Sequence, residues 1–227
     1  MWARVHNRLL RTAWPNNTSR NLTSQSTPMA SSSPSPAAAV DFLFLLQKLK
    51  TTPRTGWVKR GVQQPESIAD HMYRMGMMAL IVGPDAGVNI NRCIKMGIVH
   101  DVAEAIVGDI TPYCNVAPEE KHRLEMDAIS QIKAMLGEGT SAAQEISELW
   151  HEYEANQSKE AKLVKDFDKL EMIIQAHEYE QDQGKALQEF FDSTEGRFTT
   201  DTGKAWAAEL YARRAAAATS TPGEKPV

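Results

Sequence analysis

The chain has 227 residues, of which 42% are hydrophobic, with 13 glycines and 11 prolines, so it is long and apolar enough to form one sizeable folded core. The formal net charge of −4 is unevenly distributed, because residues 1–40 carry four arginines and no acidic residue, whereas the remaining chain carries 21 basic and 29 acidic residues. An acidic body excludes a nucleic-acid polymer as the main partner. No apolar run approaches about 18 residues, which excludes a membrane span.

The two ends of the chain are predicted to lie outside the folded part. Residues 1–40 are rich in arginine and serine and lack acids, a composition typical of a transit peptide for the mitochondrion or plastid. One alternative is a disordered segment without a targeting role, and another is translation from Met29, which would give a cytoplasmic form. We also expect a disordered tail at 215–227, which leaves a single domain at 41–214.

Apolar residues recur at helical spacing along this domain. The pattern predicts helices near 42–49, 71–82, 91–108, 118–136, 146–153 and 163–174, with weaker patterns at 187–191 and 206–210. Prolines and a glycine predict a loop over residues 53–65. Because no stretch alternates with the period of a β-strand, the sequence predicts an all-α bundle.

Four polar residues lie on helix faces that are otherwise apolar: His71, His100, Asp101 and Asp168. An unpaired carboxylate costs several kcal/mol to bury, so such groups are normally paired or bound to a metal. Two imidazoles and two carboxylates suit Mn, Fe, Co, Zn or Mg, with coordination positions left for water and substrate. The alternative for a single histidine is a hydrogen-bonded residue of the core. Asp166 competes with Asp168, although about 200° of helix rotation prevents the two from sharing a face.

The motifs around these residues carry a family resemblance. They occupy residues 46–57, 66–75, 100–112 and 149–154 and include the order His, His-Asp, Asp. The chain resembles the HD-domain metal-dependent phosphohydrolases, and among them the 5′-deoxynucleotidases of the HD-domain-containing protein 2 type. The resemblance implies an HD-domain helical bundle, usually a homodimer, that hydrolyses deoxyribonucleoside 5′-monophosphates to deoxynucleoside and phosphate.

The resemblance also implies a role for each residue of the signature. His71, His100, Asp101 and Asp168 would bind one divalent cation, namely Mn²⁺, Co²⁺ or Mg²⁺, and we choose Asp168 over Asp166 for the last place. The expected reaction is in-line attack of activated water on the 5′-phosphorus.

Glu104 stands four residues after His100, which places it one turn further along a continuous helix. The family implies proton transfer by Glu104 and contact of Asp109 with the sugar 3′-hydroxyl. In an alternative, Glu104, Asp109 and the Ile110 carbonyl bind a second, weaker cation. A solvated glutamate and a turn-forming aspartate are the structural alternatives for the two acids.

Arg54 and Trp57 are the remaining candidates. A guanidinium suits a phosphate monoester, and an indole beside the sugar would crowd a 2′-hydroxyl. In bacterial relatives the two residues are adjacent, whereas here Thr55 and Gly56 separate them; a core-capping aromatic is the alternative for Trp57. Two further functions stay open: an HD-domain phosphohydrolase for another nucleotide, such as a triphosphate or a cyclic nucleotide, and a metal-binding scaffold without catalysis.

Overall fold

The computed structural model describes residues 33–219, and its regular structure over that range is helical. The helices are α1 (Pro36–Thr51), α2 (Thr55–Lys59), α3 (Ile68–Leu80), α4 (Ile90–Val99), α5 (Glu104–Val107), α6 (Pro118–Leu136), α7 (Ser141–Ala155), α8 (Lys159–Gln183), α9 (Gln188–Thr194) and α10 (Asp201–Thr219). Between residues 33 and 219 no strand forms, apart from one isolated β-bridge between Pro53 and Ser67. The predicted all-α fold is confirmed.

Both ends of the folded part extend further than the sequence indicated. Helix α1 begins at Pro36, so the last five residues of the segment 1–40 are helical; Ser35 caps the helix, and proline is favourable in its first turn. Helix α10 continues to Thr219, five residues into the tail 215–227, because the alanines after Arg214 are strong helix formers. The proposed targeting role of the N-terminal segment falls mainly on residues 1–32, outside the described residues.

The predicted loop at 53–65 contains a short helix, α2, and this corrects the sequence interpretation. Five residues are too few to show a periodic pattern, and Gly56 lies inside the helix rather than ending it. The segment is anchored by backbone hydrogen bonds, in which Arg54 N donates to Glu66 O and Ile68 N donates to Thr52 O. These bonds bring the Arg54 region against the start of α3.

The single helix predicted at 91–108 is in fact two helices. Helix α4 ends at Val99, and α5 begins only at Glu104. Between them the backbone tightens to i→i+3 hydrogen bonds, from Val102 N to Val99 O and from Glu104 N to Asp101 O. No glycine or proline lies at this break, and the apolar spacing continues from α4 into α5. For these two reasons the break was not predicted from the sequence. His100 and Asp101 therefore lie in a turn at the end of α4.

Helix α8 lies at the centre of the bundle and packs against α3, α4, α7, α9 and α10. The larger apolar cluster forms around it and includes the fully buried Met75, Met96, Phe167 and Ile173. A second cluster joins α1, α3, α6 and α7 around Ile68, Ile129 and Trp150. Helices α3, α4 and α8 contact one another pairwise, so polar side chains on their facing surfaces meet. Within the described range, none of the helices has the length and hydropathy needed to cross a bilayer.

Candidate active site

The polar residues predicted from the helix faces meet where α3, α4 and α8 converge. A capping box between Ser67 and Asp70 fixes the first turn of α3, and His71 follows directly in that turn. His100 caps the C-terminal end of α4, and Asp168 lies in the first half of α8. Each functional side chain is therefore held by a helix whose start, end or packing is fixed.

The side chains of His71, His100, Asp101 and Asp168 lie within a few ångströms of one another. His71 Nε2 is 3.3 Å from Asp168 Oδ1 and 3.8 Å from Asp101 Oδ2, and His100 Nε2 is 3.1 Å from Asp101 Oδ2. Ligand atoms of His71, His100 and Asp168 all fall within 4.8 Å of one another. The structure thus brings together all four residues of the predicted signature.

The buried ring nitrogens show that this group suits a cation. Both imidazoles are fully buried, and the Nε2 atom of each makes no hydrogen bond within the described residues. Their Nδ1 atoms are occupied, by Glu171 in His71 and by the Gly97 carbonyl at 3.0 Å in His100. The two Nε2 atoms are therefore free to bind a metal beside two carboxylates, a donor set that fits a divalent transition ion or Mg²⁺.

The charges around the two aspartates favour their ionised forms. Burial by itself raises the pKa of a carboxyl group, but nearby His100, Arg54 and His71 outweigh it and hold the pKa of Asp101 below its ordinary value. The pKa of Asp168 is likewise well below its ordinary value, because His71, His100 and Arg54 offset its burial. Ionised carboxylates are the form that binds a cation.

Asp166, the alternative to Asp168, lies outside this group of four side chains. Its buried carboxylate accepts hydrogen bonds from the backbone N–H groups of Thr199 at 2.9 Å and Thr200 at 2.7 Å, and it pairs with Lys169 at 3.0 Å. The carboxylate of Asp166 thus holds the segment that leads into α10, whereas that of Asp168 contacts His71.

Arg54 precedes α2 and reaches into the same site. Its Nη1 donates to Asp101 Oδ2 at 3.1 Å, and only 16% of its side chain is exposed. Although burial opposes its charge, Asp101 and Asp109 keep the pKa of Arg54 above its ordinary value, so the guanidinium stays positive. The guanidinium is therefore a buried cation beside the candidate metal ligands, where it can meet an anionic substrate.

Glu104 is buried, with 4% of its surface exposed, and its Oε2 atom lacks a hydrogen-bond partner among the described residues. Burial, followed by the charges of Asp101 and Asp109, raises the pKa of Glu104 well above its ordinary value. This environment excludes the alternative of a solvated surface glutamate. A carboxyl group with a raised pKa keeps its proton at a pH at which an ordinary glutamate has lost it, and such a group can act as a general acid or base.

Asp109 and Ile110 line the same cavity as Glu104, just beyond α5. The Thr55 backbone N–H donates to Asp109 Oδ2 at 2.6 Å, and the Thr55 hydroxyl donates to the Asp109 carbonyl at 2.8 Å. Asp109 therefore fastens the Arg54 segment to the end of α5. The second cation at Glu104, Asp109 and Ile110 stays a prediction.

Trp57 is a core residue, with 2% of its surface exposed. Its indole N–H donates to Glu66 Oε1 at 2.9 Å, and its ring packs against Tyr179 and Phe190 at centroid distances of 5.4 and 4.4 Å. The structure thus gives Trp57 the packing role that was the alternative for it. Its contact with the sugar stays a prediction.

Two residues that support the site were not singled out from the sequence. The Glu171 carboxylate is fully buried and accepts from His71 Nδ1, and the Tyr153 hydroxyl donates to Asp168 Oδ2 at 2.6 Å. Glu171 follows Asp168 by three residues on α8, so helical spacing already placed the two on one face. Tyr153 belonged to an apolar pattern that gave no sign of where its hydroxyl points.

These residues open into a cavity of about 380 Å³. Arg54, Asp109 and three of the four metal-ligand candidates (His100, Asp101 and Asp168) line it, together with the charged side chains of Lys121, Glu125, Glu154 and Lys165. A larger groove of about 580 Å³ lies near Lys159 and Trp206 and contains none of the predicted site residues. The buried ionisable groups, rather than cavity size, therefore identify the active-site candidate.

Several known proteins are similar to this chain in sequence, in fold or in both. A family model described as HD domain matches residues 46–210. The 5′-deoxynucleotidase HDDC2 of Danio rerio is 57% identical over 161 residues, covering 70% of this chain and 79% of the relative. The protein of that name from Homo sapiens is 49% identical over 188 residues, covering 81% and 91%. The crystal structure of the PH0347 protein from Pyrococcus horikoshii has a TM-score of 0.63 and 34% identity, covering 76% of this chain and 96% of that chain.

The fold and the site together define the class of protein: a helical bundle in which two histidines and two aspartates lie where three helices meet. The chain belongs to the HD-domain family. Within that family it is a close homologue of the proteins named 5′-deoxynucleotidase HDDC2.

Proposed function

We propose that the chain is a metal-dependent phosphomonoesterase that hydrolyses deoxyribonucleoside 5′-monophosphates to deoxynucleoside and phosphate. Relatives at about half identity carry the name 5′-deoxynucleotidase, and the HD-domain family model covers the residues of the site. The observation that carries the proposal is the pair of buried imidazoles whose Nε2 atoms make no hydrogen bond within the described residues but face two carboxylates at 3.1–3.8 Å. A scaffold protein has no need for a buried glutamate and an arginine next to such a group.

His71, His100, Asp101 and Asp168 would hold the divalent cation, with Mn²⁺, Co²⁺ and Mg²⁺ as the proposed ions. When bound, such a cation supplies Lewis acidity that polarises a phosphoryl oxygen and activates water. Glu171 and Tyr153 keep the ligands in place, because each makes a hydrogen bond to one of them from outside the group.

Arg54 binds the phosphate group in this proposal. The guanidinium can donate two parallel hydrogen bonds to phosphoryl oxygens, and the charge of a monoester dianion compensates its partial burial. Its contact with Asp101 holds it at the edge of the ligand group before substrate arrives.

In this proposal Glu104 is the residue that transfers a proton during hydrolysis. Its raised pKa suits a group that accepts a proton from the attacking water or donates one to the leaving 5′-oxygen. The unpaired Oε2 atom leaves it free for such a transfer.

Asp109 is the proposed contact for the sugar 3′-hydroxyl, since it lines the cavity next to Arg54. Trp57 lies behind that segment, and we propose that it limits the space for a 2′-hydroxyl. A second cation at Glu104, Asp109 and the Ile110 carbonyl is the alternative for these acids.

A homodimer completes the proposal. Helix α3 exposes an apolar stripe of Tyr73, Met77 and Leu80, residues that are 70%, 40% and 55% exposed. Light scattering after gel filtration tests this, because a dimer has twice the chain mass of 25.2 kDa.

A substrate panel crossed with a metal panel tests the function. Deoxyribonucleoside and ribonucleoside 5′-monophosphates, nucleoside triphosphates and cyclic nucleotides would each be incubated with Mn²⁺, Co²⁺ or Mg²⁺ after chelation. We expect phosphate release from the deoxyribonucleoside monophosphates above all others. Faster hydrolysis of triphosphates or cyclic nucleotides would overturn the proposal, and no hydrolysis of any substrate would favour the scaffold alternative.

A further inference from the structure

The active-site cavity contains two ion pairs that the proposed chemistry does not use. Lys121 Nζ lies 3.5 Å from Glu125 Oε1 on the same helix, α6, and Lys165 Nζ of α8 lies 3.2 Å from Glu154 Oε1 of α7. All four residues line the cavity together with Arg54. The side chains of Glu125 and Glu154 are only 11% and 27% exposed, so solvent screens their charges less than it would at the surface.

Further contacts hold one of these pairs against the metal-ligand candidates. Glu154 Oε2 also lies 3.4 Å from His122 Nδ1, and the ammonium of Lys165 lies 3.6 Å from the ring centroid of Tyr153. The hydroxyl of that same tyrosine donates to Asp168. This ion pair is therefore a fixed part of the wall beside the proposed metal site.

The other pair lies close to the acids of the site. Burial lowers the pKa of Lys121, but the charges of Glu125, Glu104 and Asp101 outweigh burial and raise that pKa. The ammonium group of Lys121 thus stays positive, and neighbouring carboxylates already compensate its charge.

The charges that line the cavity do not balance. Its wall contains six acidic and three basic side chains, namely Asp101, Glu104, Asp109, Glu125, Glu154 and Asp168 against Arg54, Lys121 and Lys165. A divalent cation bound to the proposed ligands would reduce the formal excess of negative charge from three to one. One phosphate group can be neutralised by that cation and Arg54. For a second phosphate group, the lining side chains offer only lysines that already face carboxylates.

The position of the pairs determines which part of a ligand would meet them. In the proposed function the phosphate lies at Arg54 and the sugar at Asp109, two residues that Thr55 links through its hydrogen bonds to Asp109. The second phosphate of a nucleoside diphosphate is attached to the first and not to the sugar. It would therefore extend from Arg54 into the rest of the cavity, where the ion pairs of α6, α7 and α8 form the charged wall.

We propose that Glu125 and Glu154 restrict this site to monophosphates, because each carboxylate neutralises a lysine that could bind a second phosphate group and also repels that group. The inference rests on the proposed function and adds the residues that select for the number of phosphates. An unfavourable charge placed against the wrong ligand is a general source of specificity.

The test compares deoxyadenosine 5′-monophosphate (dAMP) as the substrate with the diphosphate dADP as a competitive inhibitor. Assays would be run at a fixed concentration of free divalent metal, because dADP binds metal ions, and at pH 8, because burial raises the pKa of Glu125. In the wild type we expect the Ki of dADP to exceed the KM of dAMP by about 10-fold or more. Glu125→Gln and Glu154→Gln should each lower this ratio by about 3- to 10-fold, since each removes a negative charge and releases a lysine.

Titration calorimetry on the chelated proteins measures the same preference without turnover. Each of the two substitutions should strengthen the binding of dADP more than the binding of dAMP. Thermal melting would establish that both variants are folded.

Glu120→Gln is the matched control. Glu120 also lies on α6 and pairs with a basic residue, Arg123, at 2.7 Å, but its side chain is 47% exposed and does not line the cavity. Its ratio of Ki to KM should equal that of the wild type.

Two results would overturn the inference while leaving the phosphomonoesterase proposal intact. One is a wild type that binds dADP as tightly as dAMP, and the other is an unchanged ratio in both Glu125→Gln and Glu154→Gln. Failure of the wild type to hydrolyse dAMP with any of the three metals would instead overturn the proposed function and this inference with it.

Discussion

At the scale of single residues, the environment of His71 explains why a histidine occupies a fully buried position. Its Nδ1 atom is bonded to the buried Glu171, and its Nε2 atom faces Asp168. Glu171 therefore fixes the orientation of the ring and the ring nitrogen that carries the proton, which leaves Nε2 as the ligand atom. Such an outer carboxylate also makes the imidazole a stronger donor.

Replacing Glu171 should consequently weaken metal binding. Glu171→Met removes the acceptor at similar length, and we expect a 10- to 100-fold loss of divalent-metal affinity, measured by titration calorimetry on the chelated protein. Glu171→Gln, which retains an acceptor, should recover part of that loss. Glu178→Gln is the control, because both acids pair with Arg74, Glu171 at 3.4 Å and Glu178 at 2.9 Å, but the Glu178 side chain is 47% exposed. Wild-type affinity in Glu171→Met would contradict the role given to Glu171.

Glu104 should affect turnover rather than metal binding. Glu104→Gln retains the shape of the buried side chain but cannot transfer a proton, so kcat should fall by about 10²- to 10⁴-fold. Metal content, measured by mass spectrometry of the purified variant, should stay at the wild-type level. Loss of the metal together with activity would show that Glu104 acts as a ligand instead.

The sequence predicted much of this site, because His71 and Asp168 stand out as polar residues on apolar helix faces. It placed Tyr153 on the apolar face of the helix at 146–153 but did not predict its contact with Asp168, because the hydroxyl reaches Asp168 only through the packing of α7 on α8. It also left the surroundings of Trp57 open, since the indole partner, Glu66, belongs to the segment before α3. Contacts between separate elements depend on packing angles, which periodicity along one helix does not contain.

At the level of the helices, Asp166 and Asp168 have different structural roles although both lie on α8. Asp168 contacts His71, whereas Asp166 holds the start of α10 through the N–H groups of Thr199 and Thr200. Close packing reinforces this, because a Cβ atom at Gly203 would lie 2.6 Å from Asp166 Oδ2. Helix α10 thus depends on a buried carboxylate of α8.

The two aspartates should therefore respond differently to substitution. Asp166→Ala leaves buried N–H groups without an acceptor, and we expect the free energy of unfolding to fall by about 2 kcal/mol or more, measured by urea denaturation of the chelated protein. Its metal affinity at a temperature where it is folded should match the wild type. Asp168→Ala should show the reverse, with metal binding lost. Loss of metal binding in Asp166→Ala would reassign the ligand.

The elements also show what apolar spacing can and cannot predict. The long helices α6 and α8 were predicted because several turns repeat one apolar face. Helix α2 was missed because it has five residues, and the break after Val99 was missed because the backbone changes only from i→i+4 to i→i+3 bonding. That break carries His100 and Asp101, so the least predictable part of the backbone lies at the site.

At the scale of the whole molecule, the uneven charge separates the N-terminal segment from the rest. The family match covers residues 46–210, and α1 begins at Pro36 with its own cap at Ser35. The residues of the site all lie between Arg54 and Glu171. The positive charge of residues 1–40 therefore has no part in the proposed chemistry.

A chain that begins at Met29 should consequently behave as the full chain does in solution. We expect its kcat for dAMP and its melting temperature to agree with those of the full-length protein, measured by phosphate release and differential scanning calorimetry. Fusion of residues 1–40 to a fluorescent protein would test the targeting proposal separately. A large loss of activity on truncation would show that the segment takes part in folding or catalysis.

The most direct test of the central claim is phosphate release from dAMP by Asp101→Ala and by the wild type, each measured after chelation and again after Mn²⁺, Co²⁺ or Mg²⁺ is added back. Asp101 is in contact with His100 and Arg54, so its removal takes away a proposed ligand and the partner of the phosphate-binding guanidinium together. We predict that the wild type loses activity on chelation and regains it with metal, whereas Asp101→Ala stays inactive under every condition. Full activity of Asp101→Ala, or of the chelated wild type, would contradict a metal-dependent reaction at this site.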